Sequence, residues 1–419
     1  MDKVAIMFPG QGSQYIGMGK SLCDEFSVAR EVFGEANDVL GYDLKKICFE
    51  GGLSELNSVS NMLPAILTAS VAAFRVYLRE VGKIPCFLAG HSLGEYSALT
   101  CGGMLTFSQA LKLVRLRSEL AVEVANKQDG TMTIVEKIDR ETIERECLKA
   151  SREGQIASVS CYNSDTQFAI SGHRDAVMRA EDSLLEIGAL VTPLMNGAPF
   201  HSMLMKDASE KLKAELEKYS YKKPVWPVMS NVTAKPYEGP EAVAQNLVAQ
   251  LIQPVRWVEI MDYFRAYGVE AVIEVGPQSV LKNLLGGNQK MKAYSFNQKA
   301  DKDMLKDMLG EMGGESVSTV VTRCLAMGVS TKNRNFEENE YKKGVIEPYR
   351  RIKEIQKVLD NNGAYPDVDQ MQEALELLYQ IFTTKKLPIE EQIRRFNKIL
   401  DQTAARHLFP DFLKEKYSV

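Results

Sequence analysis

The sequence predicts an α/β layered protein that carries a small β-α-β-β-α-β insertion and ends in a helical extension. Apolar strand runs alternate with helical patterns up to about residue 125, the order expected of helices layered on a parallel sheet. Over residues 131–195 the pattern changes to short strands interleaved with helices, a ferredoxin-like unit. Beyond about residue 300 no strand signal remains, and residues 311–419 are mixed in charge and mostly helical in pattern.

Taken in order, Val4-Ala5-Ile6-Met7-Phe8 reads as a buried strand, followed by the loop Pro9-Gly10-Gln11-Gly12-Ser13-Gln14 and helical patterns to about residue 80. Cys86-Phe87-Leu88-Ala89 reads as the next strand, and helices run on from Glu95 to about Ala125. In the insertion, 131–138, 156–161, 167–171 and 189–195 read as strands. Residues 139–152, with Asp139 as cap, and 174–187 read as helices. The larger domain is expected to resume at Asn196, with further buried strands at 225–230 and 271–275. In the extension, 371–382 and 389–400 read as helices.

Composition narrows the function classes. A net charge of −4 over 419 residues gives no support for a nucleic-acid surface. No apolar stretch is expected to approach the roughly 20 residues needed to span a bilayer, and the N-terminal strand leaves no room for a signal peptide. The seven cysteines are scattered, odd in number and without a C-x-x-C pair, which fits reduced thiols in the cytoplasm. The four histidines lie far apart, so no metal cluster is expected.

The chemistry is concentrated in Gly90-His91-Ser92-Leu93-Gly94, a G-x-S-x-G pentapeptide between a strand and a helix. That setting suits a nucleophile elbow of the α/β-hydrolase kind, with the serine hydroxyl held at the tip of a sharp turn. The alternative is a glycine-bounded helix start with Ser92 as an ordinary N-cap. A serine nucleophile needs a base. In hydrolase chain order the histidine follows the serine, which leaves His173, His201 and His407 and disfavours His91. His201 lies in the shaped loop Gly197-Ala198-Pro199-Phe200-His201-Ser202, and could equally be a loop residue without a special task. The loop at Gln11 could donate to an oxyanion or simply connect strand and helix; it lacks the Lys-Ser/Thr ending of a phosphate loop. Arg115 has mostly polar helical neighbours, whereas those of Arg117 are Leu113, Val114, Leu120 and Ala121. Such an arginine needs a partner, either an internal carboxylate or that of a substrate.

These motifs together resemble the malonyl-CoA:acyl-carrier-protein transacylases, the acyltransferases of fatty-acid and polyketide synthesis. The resemblance covers about residues 1–300. It rests on Phe8-Pro9-Gly10-Gln11-Gly12-Ser13-Gln14, Gly90-His91-Ser92-Leu93-Gly94-Glu95-Tyr96-Ser97-Ala98, the helix with Arg117 and the Pro199-Phe200-His201 loop. Gln250-Leu251-Ile252-Gln253-Pro254-Val255-Arg256-Trp257 and Glu274-Val275-Gly276-Pro277 add to it. It implies that Ser92 is the nucleophile and His201 the general base and acid, oriented by the backbone carbonyl of Gln250. It further implies an oxyanion hole of Gln11 and the Leu93 N–H, and Arg117 as partner of the malonyl carboxylate. It implies an α/β-hydrolase-like domain (1–128 and 196–300), a ferredoxin-like domain (129–195) and an active site between them. Residues 311–419 form the helical C-terminal extension.

The expected activity is ping-pong malonyl transfer from malonyl-CoA to the phosphopantetheine thiol of an acyl carrier protein, without a metal or other cofactor. Acetyl groups would leave the guanidinium unpaired. The chain departs from the fatty-acid members in having Phe200 where serine is common, Ala121 where methionine is common, and the extension. Phenylalanine before the histidine resembles the malonyl-type polyketide enzymes, and its ring could exclude a methyl branch. These departures suggest a stand-alone cytoplasmic enzyme loading polyketide synthase carrier domains in trans. The alternative activity is an acyl hydrolase that clears stalled carrier proteins. The extension could dock such partners or cap the larger domain.

Overall fold

The computed structural model describes residues 3–194, 197–285, 291–309 and 318–417. The chain divides into two compact units, Met1–Glu311 and Met312–Val419. The expected return to the larger domain at Asn196 and the start of the extension at 311 lie outside the described residues.

The first unit contains two sheets. In one, β1 (Val4–Phe8), β2 (Phe87–Gly90), β7 (Ala271–Glu274) and β8 (Lys292–Ser295) run parallel in the order β2-β1-β7-β8. β1, β2 and β7 are wholly buried and, apart from Glu274 at the end of β7, read as apolar runs, as both faces of a parallel sheet are covered. The register sets Phe8 opposite Gly90 and Met7 opposite Glu274. The loops after these strands therefore emerge at one edge, the C-terminal end of the sheet, where α/β proteins place ligands.

The other sheet is antiparallel, with β3 (Gly130–Glu136), β4 (Ala157–Tyr162), β5 (Gln167–His173) and β6 (Leu190–Pro193) in the order β4-β5-β3-β6. Helices Arg140–Ala150 and Arg174–Glu186 follow β3 and β5 and share an apolar core with the sheet around Val135, Ile143, Phe168 and Leu184. Asp139 caps the first of these helices, its carboxylate accepting the Thr142 N–H. The second unit is built of helices among its described residues, and Ile352, Leu378, Phe382 and Phe396 lie in its interior.

Two expectations require correction, and one further strand is present. Residues 225–230 do not form a strand. Pro224 and Pro227 cannot donate to a ladder, and the segment makes just two isolated bridges, a parallel one between Val228 and Leu88 of β2 and an antiparallel one between Met229 and Pro236. Strand β8 was not anticipated. Finally, helix Val59–Glu80 is long and apolar enough to cross a membrane by length and composition, although Arg75 and Arg79 interrupt its apolar run near the end. In the structure 83% of its most apolar window is buried inside the protein, with Phe74 packed edge-on against Phe8 and Trp226.

Candidate active site

The turn between β2 and helix Leu93–Cys101 is possible only because three glycines meet there. A Cβ on Gly90 would fall 1.8 Å from the Gly94 carbonyl, one on Gly94 would fall 2.1 Å from the Phe8 carbonyl oxygen, and one on Gly10 would fall 2.6 Å from that of His91. All three clashes are with backbone, which cannot yield as a side chain does. The turn leaves Ser92 at φ 52°, ψ −105°, an unfavourable conformation for a residue with a Cβ. Ser92 occupies the N-cap position of the helix, yet its side chain makes no capping bond. Its hydroxyl points into a cleft of about 730 Å³.

Within that cleft Ser92 Oγ lies 2.6 Å from His201 Nε2. On the far side of the ring, His201 Nδ1 lies 2.6 Å from the backbone carbonyl oxygen of Gln250. A carbonyl only accepts, so Nδ1 carries the proton and Nε2 presents a lone pair to the serine hydroxyl. His201 itself has φ 60° and is held by its N–H to the Leu251 carbonyl. The Ser171 hydroxyl of β5 donates to the Phe200 carbonyl, tying this loop to the antiparallel sheet. Burial, and then the charge of Arg117, push the His201 pKa down to about 3, which keeps the ring neutral and able to accept a proton.

Arg117 is 1% exposed, on the buried face of helix Phe107–Gln128. Its Nη2 donates to Ser92 Oγ at 3.0 Å, and its guanidinium carbon lies 4.1 Å from the centre of the Phe200 ring. Its Nε has no hydrogen-bond partner, and among the described residues no carboxylate lies within ion-pair distance. The internal carboxylate that sequence reasoning allowed is therefore not paired with it. Arg115, by contrast, is exposed and paired with Glu119 at 3.0 Å.

Gln11 is half-buried and lines the cleft with Gly10 and Gly12. The Leu93 N–H belongs to the first turn of its helix and has no intrahelical acceptor. Met132, Ile134, Cys161 and Ala169 from the antiparallel sheet, and Val280 and Leu284 beyond β7, supply apolar walls. Ser92, His201, Gln250, Arg117, Phe200, Leu93 and Gln11 thus converge, although they come from segments far apart in sequence. The other histidines do not contact Ser92 Oγ. His91 Nε2 is bonded to Asn163 Oδ1 at 2.8 Å, His173 Nδ1 accepts the Ile156 N–H, and His407 lies in the second unit.

Two residues of the site carried no assigned task in the sequence reading. Asn231 brackets Ser92, its Oδ1 accepting the Ser92 N–H at 2.7 Å and its Nδ2 donating to the Gly90 carbonyl at 2.7 Å. Glu95 is fully buried beneath the turn. Its place directly after the G-x-S-x-G pentapeptide was the available signal; for Asn231, at the end of a segment without regular structure, there was none.

Known proteins resemble the chain over most of its length. The family described as "Acyl transferase domain" matches residues 6–308. A malonyl CoA-acyl carrier protein transacylase of Bacillus subtilis is 37% identical over 399 residues, covering 94% of this chain and 99% of that protein. One from Escherichia coli K12 is 41% identical over 285 residues, covering 68% of this chain and 92% of its own length. Among solved structures, a malonyl-transacylase in complex with a type II PKS acyl-carrier protein superposes with a TM-score of 0.70 at 40% identity, covering 73% of this chain and 99% of that one. An acyl carrier protein S-malonyltransferase from Vibrio cholerae gives a TM-score of 0.69 at 39% identity, covering 73% and 100%. With its elbow serine, buried histidine and buried arginine in one cleft, the chain belongs to the acyl transferase domain family, among the malonyl CoA-acyl carrier protein transacylases.

Proposed function

We propose that the protein transfers malonyl groups from malonyl-CoA to the phosphopantetheine thiol of an acyl carrier protein through an ester on Ser92. The observation that carries this reading is the buried guanidinium of Arg117, without a carboxylate partner, beside the hydrogen-bonded Ser92–His201 pair. In the first half-reaction Ser92 Oγ attacks the thioester carbonyl carbon while His201 Nε2 takes its proton. The tetrahedral oxyanion is met by the Leu93 N–H at the positive end of its helix and by Gln11. The C–S bond breaks and coenzyme A leaves with the proton returned by His201. In the second half-reaction His201 deprotonates the carrier thiol, which attacks the malonyl-serine carbonyl; the C–O bond breaks and Ser92 regains its proton. The Gln250 carbonyl holds the imidazole in the tautomer that both steps need.

Arg117 pairs with the free carboxylate of the malonyl group, and Phe200 stacks on the guanidinium and restricts the room beside it for a methyl branch. The architecture we propose is an α/β-hydrolase-like domain (1–128 and 196–300) with a ferredoxin-like insertion (129–195) and a helical extension (311–419). The parallel sheet, the elbow at its C-terminal end and the β-α-β-β-α-β order support it. The E. coli relative bears the same printed name while matching only 68% of this chain, which supports a task for the extension outside the chemistry, either docking a partner or capping the larger domain. We place the enzyme in the cytoplasm, serving a polyketide synthase in trans.

Incubation with malonyl-CoA and a holo acyl carrier protein, separating malonyl-carrier from free malonate, tests the reading. Malonyl-carrier is the expected product. Predominant release of free acid, or turnover of monocarboxylic acyl thioesters in preference to malonyl, would overturn it in favour of a hydrolase.

A further inference from the structure

Glu95 takes no part in the transfer steps, yet it is fully buried in the first turn behind Ser92. Three donors converge on its carboxylate. Oε1 accepts the Tyr237 hydroxyl at 2.6 Å and the Asn231 backbone N–H at 3.2 Å, and Oε2 accepts Gln250 Nε2 at 2.6 Å. Each link leads back to a reacting group. The same Gln250 Nε2 donates to the Ser92 carbonyl at 2.9 Å, and the Gln250 carbonyl receives His201 Nδ1. The Asn231 side chain holds the peptide groups on either side of the elbow, at the Ser92 N–H and the Gly90 carbonyl.

We propose that Glu95 is a positioning residue that locks base and nucleophile into one geometry, fixing His201 through Gln250 and the Ser92 peptide through Asn231. This rests on Ser92 and His201 being the reacting pair. The alternative task, direct counter-ion to Arg117, is disfavoured because the two form no ion pair.

The network as arranged suits an ionised carboxylate, and a protonated Glu95 keeps it only if the Tyr237 hydroxyl turns from donor to acceptor. The Asn231 N–H and Gln250 Nε2 can only donate, and with the Tyr237 hydroxyl donating as well a proton on Glu95 would set one donor against another. The titratable and charged groups around it are Tyr237, Tyr96 and Arg117. Burial raises the Glu95 pKa to about 7, against the lowering effect of its three hydrogen bonds and of Arg117. Because the His201 pKa is pushed down to about 3, a loss of activity on acidification near neutrality belongs to Glu95 and not to the histidine.

The test is the rate of Ser92 malonylation by malonyl-CoA, read by quenched intact mass on the full chain across the neutral range. Glu95→Gln preserves shape but turns one acceptor into a donor. It is expected to slow loading roughly 10- to 100-fold, as loss of a supporting residue does, with KM for malonyl-CoA unchanged and the near-neutral acid limb gone. Combining it with Gln250→Met, which keeps the Gln250 carbonyl, should be no slower than the worse single variant. Tyr237→Phe removes one donor from the carboxylate and should move the acid limb to higher pH. Wild-type loading by Glu95→Gln, or retention of its limb, overturns the proposal; if that variant does not fold, an unmoved limb in Tyr237→Phe does so. Wild-type protein that never acquires malonyl refutes instead the enzymatic assignment on which the proposal rests.

Discussion

Replacing Arg117 by alanine tests how the site selects its acyl group. The guanidinium is 1% exposed, so a malonyl carboxylate that reaches it forms a buried charge pair. Removing one partner of such a pair costs about 3–5 kcal/mol, because the other charge is left uncompensated. At about 1.36 kcal/mol per power of ten, kcat/KM for malonyl-CoA should fall by roughly 2.2 to 3.7 powers of ten. Acetyl-CoA makes no such pair, and its kcat/KM should change by less than about tenfold. A second signature follows from the charges. Arg117 lowers the pKa of both His201 and Glu95, so its loss lets both rise and should move the acid limb of loading to higher pH. The assay is single-turnover acylation with each thioester across a pH series, followed by intact mass. Malonyl loading retained within about threefold, or equal losses for both thioesters, would refute the reasoning.

Further outcomes follow from the packing. Gly94→Ala drives a Cβ to 2.1 Å from the Phe8 carbonyl and should destabilise the first unit by about 3 kcal/mol or more, measured as a lower Tm. Phe200→Ser removes the ring 4.1 Å from the guanidinium carbon and a cation–π contact worth about 2 kcal/mol when desolvated. The ratio of methylmalonyl to malonyl loading should rise, measured by competition between the two thioesters. Truncation after Glu311 should leave Ser92 loading intact while weakening transfer to the carrier, measured by KM for the carrier protein; insoluble protein would favour the capping role instead.

The elbow was legible because its constraints are local. Gly90, Ser92 and Gly94 lie within five residues, and the strand and helix around them are patterned accordingly. Arg117 stood out by a similarly local rule, its apolar helical neighbours. His201 was only one of several candidates until the family resemblance selected it, because its partner is 109 residues away and its orienting carbonyl 49. Asn231 and the task of Glu95 went unrecognised for the same reason: their hydrogen bonds span more than 130 residues and leave no periodic trace. The error at residues 225–230 came from weighing apolar content above Pro224 and Pro227. Strand β8 has only four residues and begins with an exposed lysine, too short a run for an alternation signal.

Peptide mapping of the acylated protein is the most direct measurement. After brief exposure to malonyl-CoA and acid quench, one malonyl group should be found on the peptide containing Ser92, and Ser92→Ala protein should carry none. A malonyl group on another residue, or undiminished labelling of the alanine variant, would contradict the covalent mechanism.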